Sequence, residues 1–191
     1  KNQNINLKKT KKIFLEDAQY YIEDVRKNII DQLSYEKVYK QGFNINTPIN
    51  LNLQKIATNS LREGLTSYDR RKGWRGALLN RSYDENWFKD LEKLELEKSI
   101  NWEIAIVKKI RKFSTEIEIK NKTKGIIEYK NITWTKKEFQ DLFSIGDVIY
   151  VEKISENKYK LKQLPKANGG IVVMDPYTGR VLALSGGFSF K

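Results

Sequence analysis

Residues 101–129 read NWEIAIVKKIRKFSTEIEIKNKTKGIIEY, and residues 148–164 read VIYVEKISENKYKLKQL. From Asn101 the hydrophobic period is two, the period of a pleated strand with one buried face. The strand-like runs are Trp102–Lys109, Phe113–Asn121, Gly125–Tyr129, Val148–Ile154 and Lys158–Leu164. Turn-forming residues separate most of them: Asn121 to Gly125, Gly146-Asp147, and Ser155-Glu156-Asn157. Between the third and fourth runs, residues 135–143 read TKKEFQDLF. This spacing predicts a helix, opened by Thr135 and Glu138 as a capping box.

Five strands with a helix between the third and fourth match the OB-fold, a small Greek-key barrel. OB-folds stack bases or sugars on surface aromatics, which makes Trp102, Tyr129 and Trp134 candidates for ligand stacking. Aromatics in so small a barrel more often fill the core or pair across strands, and that is the reading taken here. Pro165 ends the barrel, and Lys166-Ala167-Asn168 links it to the C-terminal stretch.

After the barrel, residues 169–191 read GGIVVMDPYTGRVLALSGGFSFK. Ile171–Met174 and Val181–Leu184 are short apolar runs rich in β-branched residues. Between them Asp175-Pro176-Tyr177-Thr178-Gly179 supplies a fixed φ, an Asp that can bond its own backbone, and a Gly. The pattern predicts a β-hairpin. Before the barrel the period is helical. From Phe14 to Leu33, the residues Ala18, Ile22, Val25, Ile29 and Leu33 fall on one face, and Glu16 and Asp17 sit in the first turn, where the helix dipole favours negative charge. Residues 42–47 alternate as a half-buried strand ended by Pro48. Asn50 or Asn52 can cap a second helix reaching about Tyr68, striped by Leu53, Ile56, Ala57, Leu61, Leu65 and Tyr68. It stops in basic residues and Gly73. Trp87, Leu91 and Leu94 predict a short amphipathic helix within residues 80–98.

Composition removes several functional classes. The 191-residue chain has no cysteine and no histidine, which excludes disulfides, thiolate metal sites and the Ser-His-Asp and Cys-His mechanisms. Hydrophobic residues make up 39%, enough for a core. No apolar run approaches the ~18 residues of a membrane-spanning helix. The Lys- and Asn-rich N-terminus lacks the apolar core of a signal peptide. The formal net charge of +12 would suit nucleic acid, anionic lipid or acidic polymers. The lysines are scattered among Asn and Ile, however, which reads as a solvated surface.

Two stretches carry a resemblance to a known family. The hairpin string, with Asp175, Pro176, Thr178, Gly179, Val181 to Leu184, Gly186 and Gly187, resembles the opening of the transpeptidase domain of penicillin-binding proteins. The earlier residues resemble the linker of the class A members. Tyr20-Tyr21-Ile22-Glu23-Asp24-Val25-Arg26 corresponds to the start of its helix. Gly42-Phe43-Asn44-Ile45-Asn46-Thr47 and Leu53-Gln54 correspond to a strand and a following helix. The nonapeptide Tyr68-Asp69-Arg70-Arg71-Lys72-Gly73-Trp74-Arg75-Gly76 is the most specific match. Phe43 and Ile45 stand where the family pattern has Leu and Val. Class A proteins of the 1A type carry an OB-like domain at this place in the chain.

The resemblance implies an α+β architecture. An OB-like five-stranded barrel is inserted between two pieces of a partial transpeptidase domain. The expected organisation is a frayed end at 1–12, a linker and early transpeptidase region at 13–78, the OB-like domain at 79–167, and the first transpeptidase hairpin at 168–191. The flanks should belong together, with strand 43–47 joining the 171–185 hairpin in one sheet.

The implied parent is a bifunctional peptidoglycan synthase on the periplasmic side of the bacterial inner membrane, anchored by an N-terminal helix outside this chain. Its glycosyltransferase motifs would lie upstream of Lys1 and its nucleophilic Ser-x-x-Lys downstream of Lys191. The segment itself is expected to be inactive, with no catalytic, cofactor-binding or metal residues and no cofactor. Its barrel is expected to dock peptidoglycan or a cell-wall protein, and not nucleic acid. A free-standing OB-type nucleic-acid-binding protein is the alternative, and a structural protein with a degenerate transpeptidase a third reading.

Two Ser-x-x-Lys strings occur within the chain: Ser34-Tyr35-Glu36-Lys37 and Ser155-Glu156-Asn157-Lys158. The acylation motif needs a helix start buried against a sheet, so that one turn brings Lys beside Ser. Neither string has that setting, and a motif with two fixed positions recurs by chance in a lysine-rich chain. Lys122-Thr123-Lys124-Gly125 is read as a turn. Glu16 and Asp17 are read as helix-start residues, not as a glycosyl-transfer pair.

Overall fold

A computed structural model describes residues 15–84 and 86–190. The expected frayed end at 1–12 and the helix start at Phe14 lie outside the described residues. The barrel strands are β2 (Trp102–Ile110), β3 (Ser114–Ile119), β4 (Lys124–Glu128), β5 (Asp147–Ser155) and β6 (Lys158–Lys162), each within a few residues of its sequence prediction. A two-residue strand, β1 (Leu79–Asn80), adds to β5. The order β5-β2-β3-β4-β6 closes because β6 also pairs with β5. Its one parallel contact is β4 with β6, through Ile126↔Lys158 and Ile127↔Tyr159. This is the OB topology.

The strands of this barrel do not all alternate, and the reason is a second layer. In β2 the run Ile104–Val107 is buried throughout, as is Val148–Val151 in β5. Ala105, Val107, Ile149 and Val151 face the barrel interior with Ile117, Ile127, Ile132 and Leu161. Ile104, Ile106, Val148 and Tyr150 face outward and meet Trp87 and Leu91. Strands buried on both faces read as continuous apolar runs.

The covering layer is residues 79–100. The amphipathic helix expected here does not form. Turns and one 3-10 turn at Glu92–Leu94 take its place. Asp90 adopts a left-handed φ of 64°, which stops a helix between Trp87 and Leu91. Both residues are nonetheless only 1% exposed. Full burial of a side chain such as Leu91 is worth about 1.5–3 kcal/mol, so packing outweighs the local helical pattern. Arg81 donates to the carbonyls of Trp87 (2.6 Å) and Lys89 (3.0 Å), satisfying backbone that a helix would have satisfied itself.

Glu118 pins this layer to the barrel. Its carboxylate accepts from Trp87 Nε1 (3.1 Å), Tyr83 OH (3.1 and 3.2 Å) and Lys108 Nζ (3.2 Å). Burial alone would raise its pKa, but these donors outweigh burial and hold it below the ordinary value of 4.5. A depressed carboxylate stabilises fully above its unfolded pKa, and that stability is lost as pH falls through the folded value. Thermal melts between pH 7 and pH 3 should therefore show an acid-side loss that Glu118→Gln flattens. An unchanged acid limb in the variant would remove Glu118 from this role.

Outside the barrel, α1 (Gln19–Leu33) ends at Leu33 as the pattern predicts, and a further short helix, α2 (Tyr35–Gln41), follows it after Ser34 with φ 73°. Glu16 and Asp17 occupy a preceding 3-10 turn. Helix α3 (Leu51–Arg70) is capped by Asn50, whose side chain accepts from Asn52 N (3.0 Å) and Leu53 N (3.1 Å). Strands β7 (Ile171–Met174) and β8 (Val181–Ser185) make the hairpin. In its turn, Asp175 accepts from Tyr177 N (2.8 Å) and Thr178 N (3.2 Å), and Gly179 takes φ 69°.

Two expectations fail here. Residues 42–47 form no strand, and the hairpin is a sheet of two strands only. Three residues beyond the segment, Asn50 N donates to Leu182 O at 2.9 Å. Helix α3 lies against β8 instead, and its Gln54 side chain takes the Leu184 N and O that a third strand could pair with. The expected capping box also does not form. Thr135 Oγ1 donates to Ile132 O (2.7 Å) inside a 3-10 turn, and the short helix α4 (Phe139–Leu142) begins after Glu138 without a side-chain cap.

Candidate functional site

The densest polar chemistry lies where α3 meets both the barrel and the hairpin. The nonapeptide at Tyr68–Gly76 ends α3 and turns into the barrel. Asp69 is 4% exposed. Its carboxylate accepts from Arg75 Nη1 (2.8 and 2.7 Å), Gln163 Nε2 (2.9 Å) and the backbone N of Lys166 (3.1 Å). Gln163 also donates to Gly73 O (3.1 Å) and accepts from Arg75 N (2.9 Å), while Arg75 Nη2 donates to Leu164 O (2.6 Å). The chain entering the barrel is thereby tied to the chain leaving it. Burial pushes the Asp69 carboxyl up, and the bonds from Gln163, Arg75 and Lys166 outweigh this and hold it below 3.8.

About two turns earlier on α3, Arg62 braces three segments. Nε donates to Phe188 O (2.9 Å), and the terminal nitrogens donate to Ser99 O (3.2 Å), Ser99 Oγ (3.0 Å) and the Glu97 carboxylate. Asp17 lies 3.9 Å away. Beside it Leu65, Ile100 and Phe188 form a small apolar cluster joined by Trp102, whose ring sits 5.0 Å from that of Phe188. Gln54, 1% exposed, completes the series at the hairpin. Its Nε2 donates to Asp17 O (2.9 Å), Thr58 Oγ1 (3.1 Å) and Leu184 O (3.0 Å), and its Oε1 accepts from Leu184 N (2.9 Å). Helix α1 adds Tyr21 OH to Val181 O (2.9 Å) and Tyr20 OH to Ser189 O (2.7 Å). Gly186 and Gly187 are small because Tyr20 packs on them: a Cβ would lie 2.9 Å from its ring and 2.5 Å from its hydroxyl.

The arrangement is one of mechanical coupling. Three polar side chains on one helix, Gln54, Arg62 and Asp69, grip the hairpin, the covering layer and the barrel exit in turn.

The sequence-level candidates fall elsewhere. Ser34 does precede a helix start, that of α2, but α2 buries no residue and Ser34 and Lys37 are exposed. Ser155 and Lys158 are exposed cross-strand partners at the β5–β6 turn. Trp102, Tyr129 and Trp134 do not share a platform. Trp102 belongs to the junction, Trp134 packs on the barrel interior cluster and 6.0 Å from Trp74, and Tyr129 donates to Glu138 (3.1 Å) beside Phe139. Gln163, Arg62 and Gln54 carry the junction and were not singled out for it. The available signal was the placement of polar residues on otherwise apolar stripes.

A family model described as the penicillin-binding protein OB-like domain matches residues 74–167. Penicillin-binding protein 1A of Rickettsia bellii is 38% identical over 178 residues, covering 91% of this chain and 22% of the relative. Penicillin-binding protein 1A of Pseudomonas aeruginosa is 26% identical over 190 residues, covering 92% and 23%. The chain thus spans roughly a fifth of the length of the relatives it matches. Among solved structures, that of penicillin-binding protein 1A from Haemophilus influenzae superposes with a TM-score of 0.75 at 24% identity, covering 91% of this chain and 26% of that one.

Proposed function

We infer from this chain, which belongs to the penicillin-binding proteins of the 1A type, that it is the non-catalytic middle segment of a bifunctional peptidoglycan synthase. The parent polymerises glycan strands and cross-links stem peptides through a serine acyl-enzyme, on the periplasmic side of the inner membrane. In the described residues, no helix is long and apolar enough to cross a membrane. Anchoring is assigned to an N-terminal helix of the parent, as the resemblance implies.

The observation that carries this reading is the gripping of hairpin, covering layer and barrel exit by one helix. The segment holds the OB-like barrel at a fixed position relative to the start of the transpeptidase domain. Buried, fully bonded polar residues suit a rigid strut, because each would be left unsatisfied if the joint opened. The barrel so presented docks peptidoglycan or a cell-wall protein.

Fluorescent penicillin tests the enzymatic part. The protein extended downstream of Lys191 to its natural stop should be labelled, and the 191-residue chain should not. Absence of label on the extended protein would overturn the transpeptidase assignment. A barrel deletion that leaves partner binding and cross-linking unchanged would overturn the docking role.

A further inference from the structure

A concavity of about 540 Å³ opens at the end of α3, on the side of the 3-10 turn at Thr133–Thr135. It is lined by Arg70, Arg71, Lys72, Gly73, Trp134, Thr135 and Lys136. Four of these are cationic, and no carboxylate lines it among the described residues. Basic residues at a helix end complement the dipole. Here the last carbonyls are already used: Tyr68 O accepts from Arg71 N (3.2 Å), Asp69 O from Lys72 N (2.9 Å) and Arg70 O from Gly73 N (3.0 Å). The fourth cation, Lys136, comes from another element and is held at a left-handed φ of 56°, a conformation that costs a non-glycine residue energy.

Arg70 Nη2 donates to Leu161 O at 3.5 Å, and Arg71 lies over the Tyr68 ring at 4.8 Å. Arg70 lies over the Trp134 ring at 5.0 Å. Its Nε and the Trp134 Nε1 are both buried without an acceptor among the described residues. Clustered like charges repel, which favours an anion in the concavity. Arginine forks match tetrahedral and planar oxyanions, and Arg71, Lys72 and Lys136, with no carboxylate in the lining, favour a multiply charged one.

We propose that the concavity formed by Arg70, Arg71, Lys72, Trp134 and Lys136 is a binding site for a phosphoryl group, free or on a lipid headgroup. The test uses the 191-residue chain with pyrophosphate by calorimetry, and sedimentation with vesicles of phosphatidylglycerol or of phosphatidylcholine alone. Arg71 and Lys136 are exposed and outside the Asp69 knot, so the Arg71→Gln/Lys136→Gln double variant should melt as the parent does. Saturable pyrophosphate binding is expected, weakened at least about tenfold in this variant, as for loss of one charge-assisted contact. It should be unchanged in Lys122→Gln/Lys124→Gln, which removes equal charge from the β3–β4 turn. Variant-sensitive sedimentation with phosphatidylglycerol vesicles would place the phosphoryl group on a lipid, and pyrophosphate binding alone on a soluble ligand. Absence of both, equal weakening by the two double variants, or binding of oligoglutamate without pyrophosphate would overturn the site.

Discussion

Asp69→Ala is expected to lower unfolding stability by about 3–5 kcal/mol, the cost of removing one partner from a buried ion pair and its hydrogen bonds. The substitution leaves Gln163 Nε2, Lys166 N and the Arg75 guanidinium without their shared acceptor. The Arg75 side chain retains 26% of its exposure, so water can satisfy part of it and the loss should fall toward the lower bound. Asp69→Asn keeps one acceptor oxygen but loses the charge, and should lose less. Denaturant titration followed by tryptophan fluorescence would measure both. The expected signature is decoupling, with the barrel and the flanking helices unfolding in separate transitions, because the knot ties the barrel's entry to its exit. A change below about 1 kcal/mol would place Asp69 among ordinary single hydrogen bonds and remove the rigid joint from the functional argument.

Gln54→Leu should have an effect of similar size at the other end of α3. Leucine fills comparable space but forms none of the bonds to Asp17 O, Leu184 O and Leu184 N. Each buried backbone group left without a partner costs about 1–3 kcal/mol, so a loss of roughly 2–5 kcal/mol is expected. The loss should be local. In hydrogen exchange, the Leu184 amide should lose protection, with its neighbours in β8, while Ile104 and Ile106 in the barrel keep theirs. Uniform loss of protection across barrel and hairpin would instead mean that the two unfold as one unit, and that Gln54 stabilises the whole chain.

Much of the fold was legible from the linear pattern. The five barrel strands show in the period of their apolar residues, and the hairpin turn built on Asp175 and Gly179 and the Asn50 cap depend on interactions within a few residues. Alternation, turn chemistry and side-chain caps report such interactions directly. The family resemblance at Tyr68–Gly76 and at the hairpin also lay in the string itself, and the relatives bear it out.

Tertiary structure decided the rest. The helical spacing of Trp87, Leu91 and Leu94 was real as a burial signal but not as a helix, since the barrel's outer face buries these residues on irregular chain held by Arg81 and Glu118. Residues 42–47 alternate like a strand, yet the Gln54 side chain of α3 takes the Leu184 N and O that a third strand could pair with. Apart from Thr58 and Arg75, which lie within six positions, the partners of Gln54, Arg62 and Asp69 lie 35 to 130 positions away in the chain. Local periodicity carries no information about such partners. Their energy comes from desolvated hydrogen bonds that exist only once the elements on either side of the barrel are packed together.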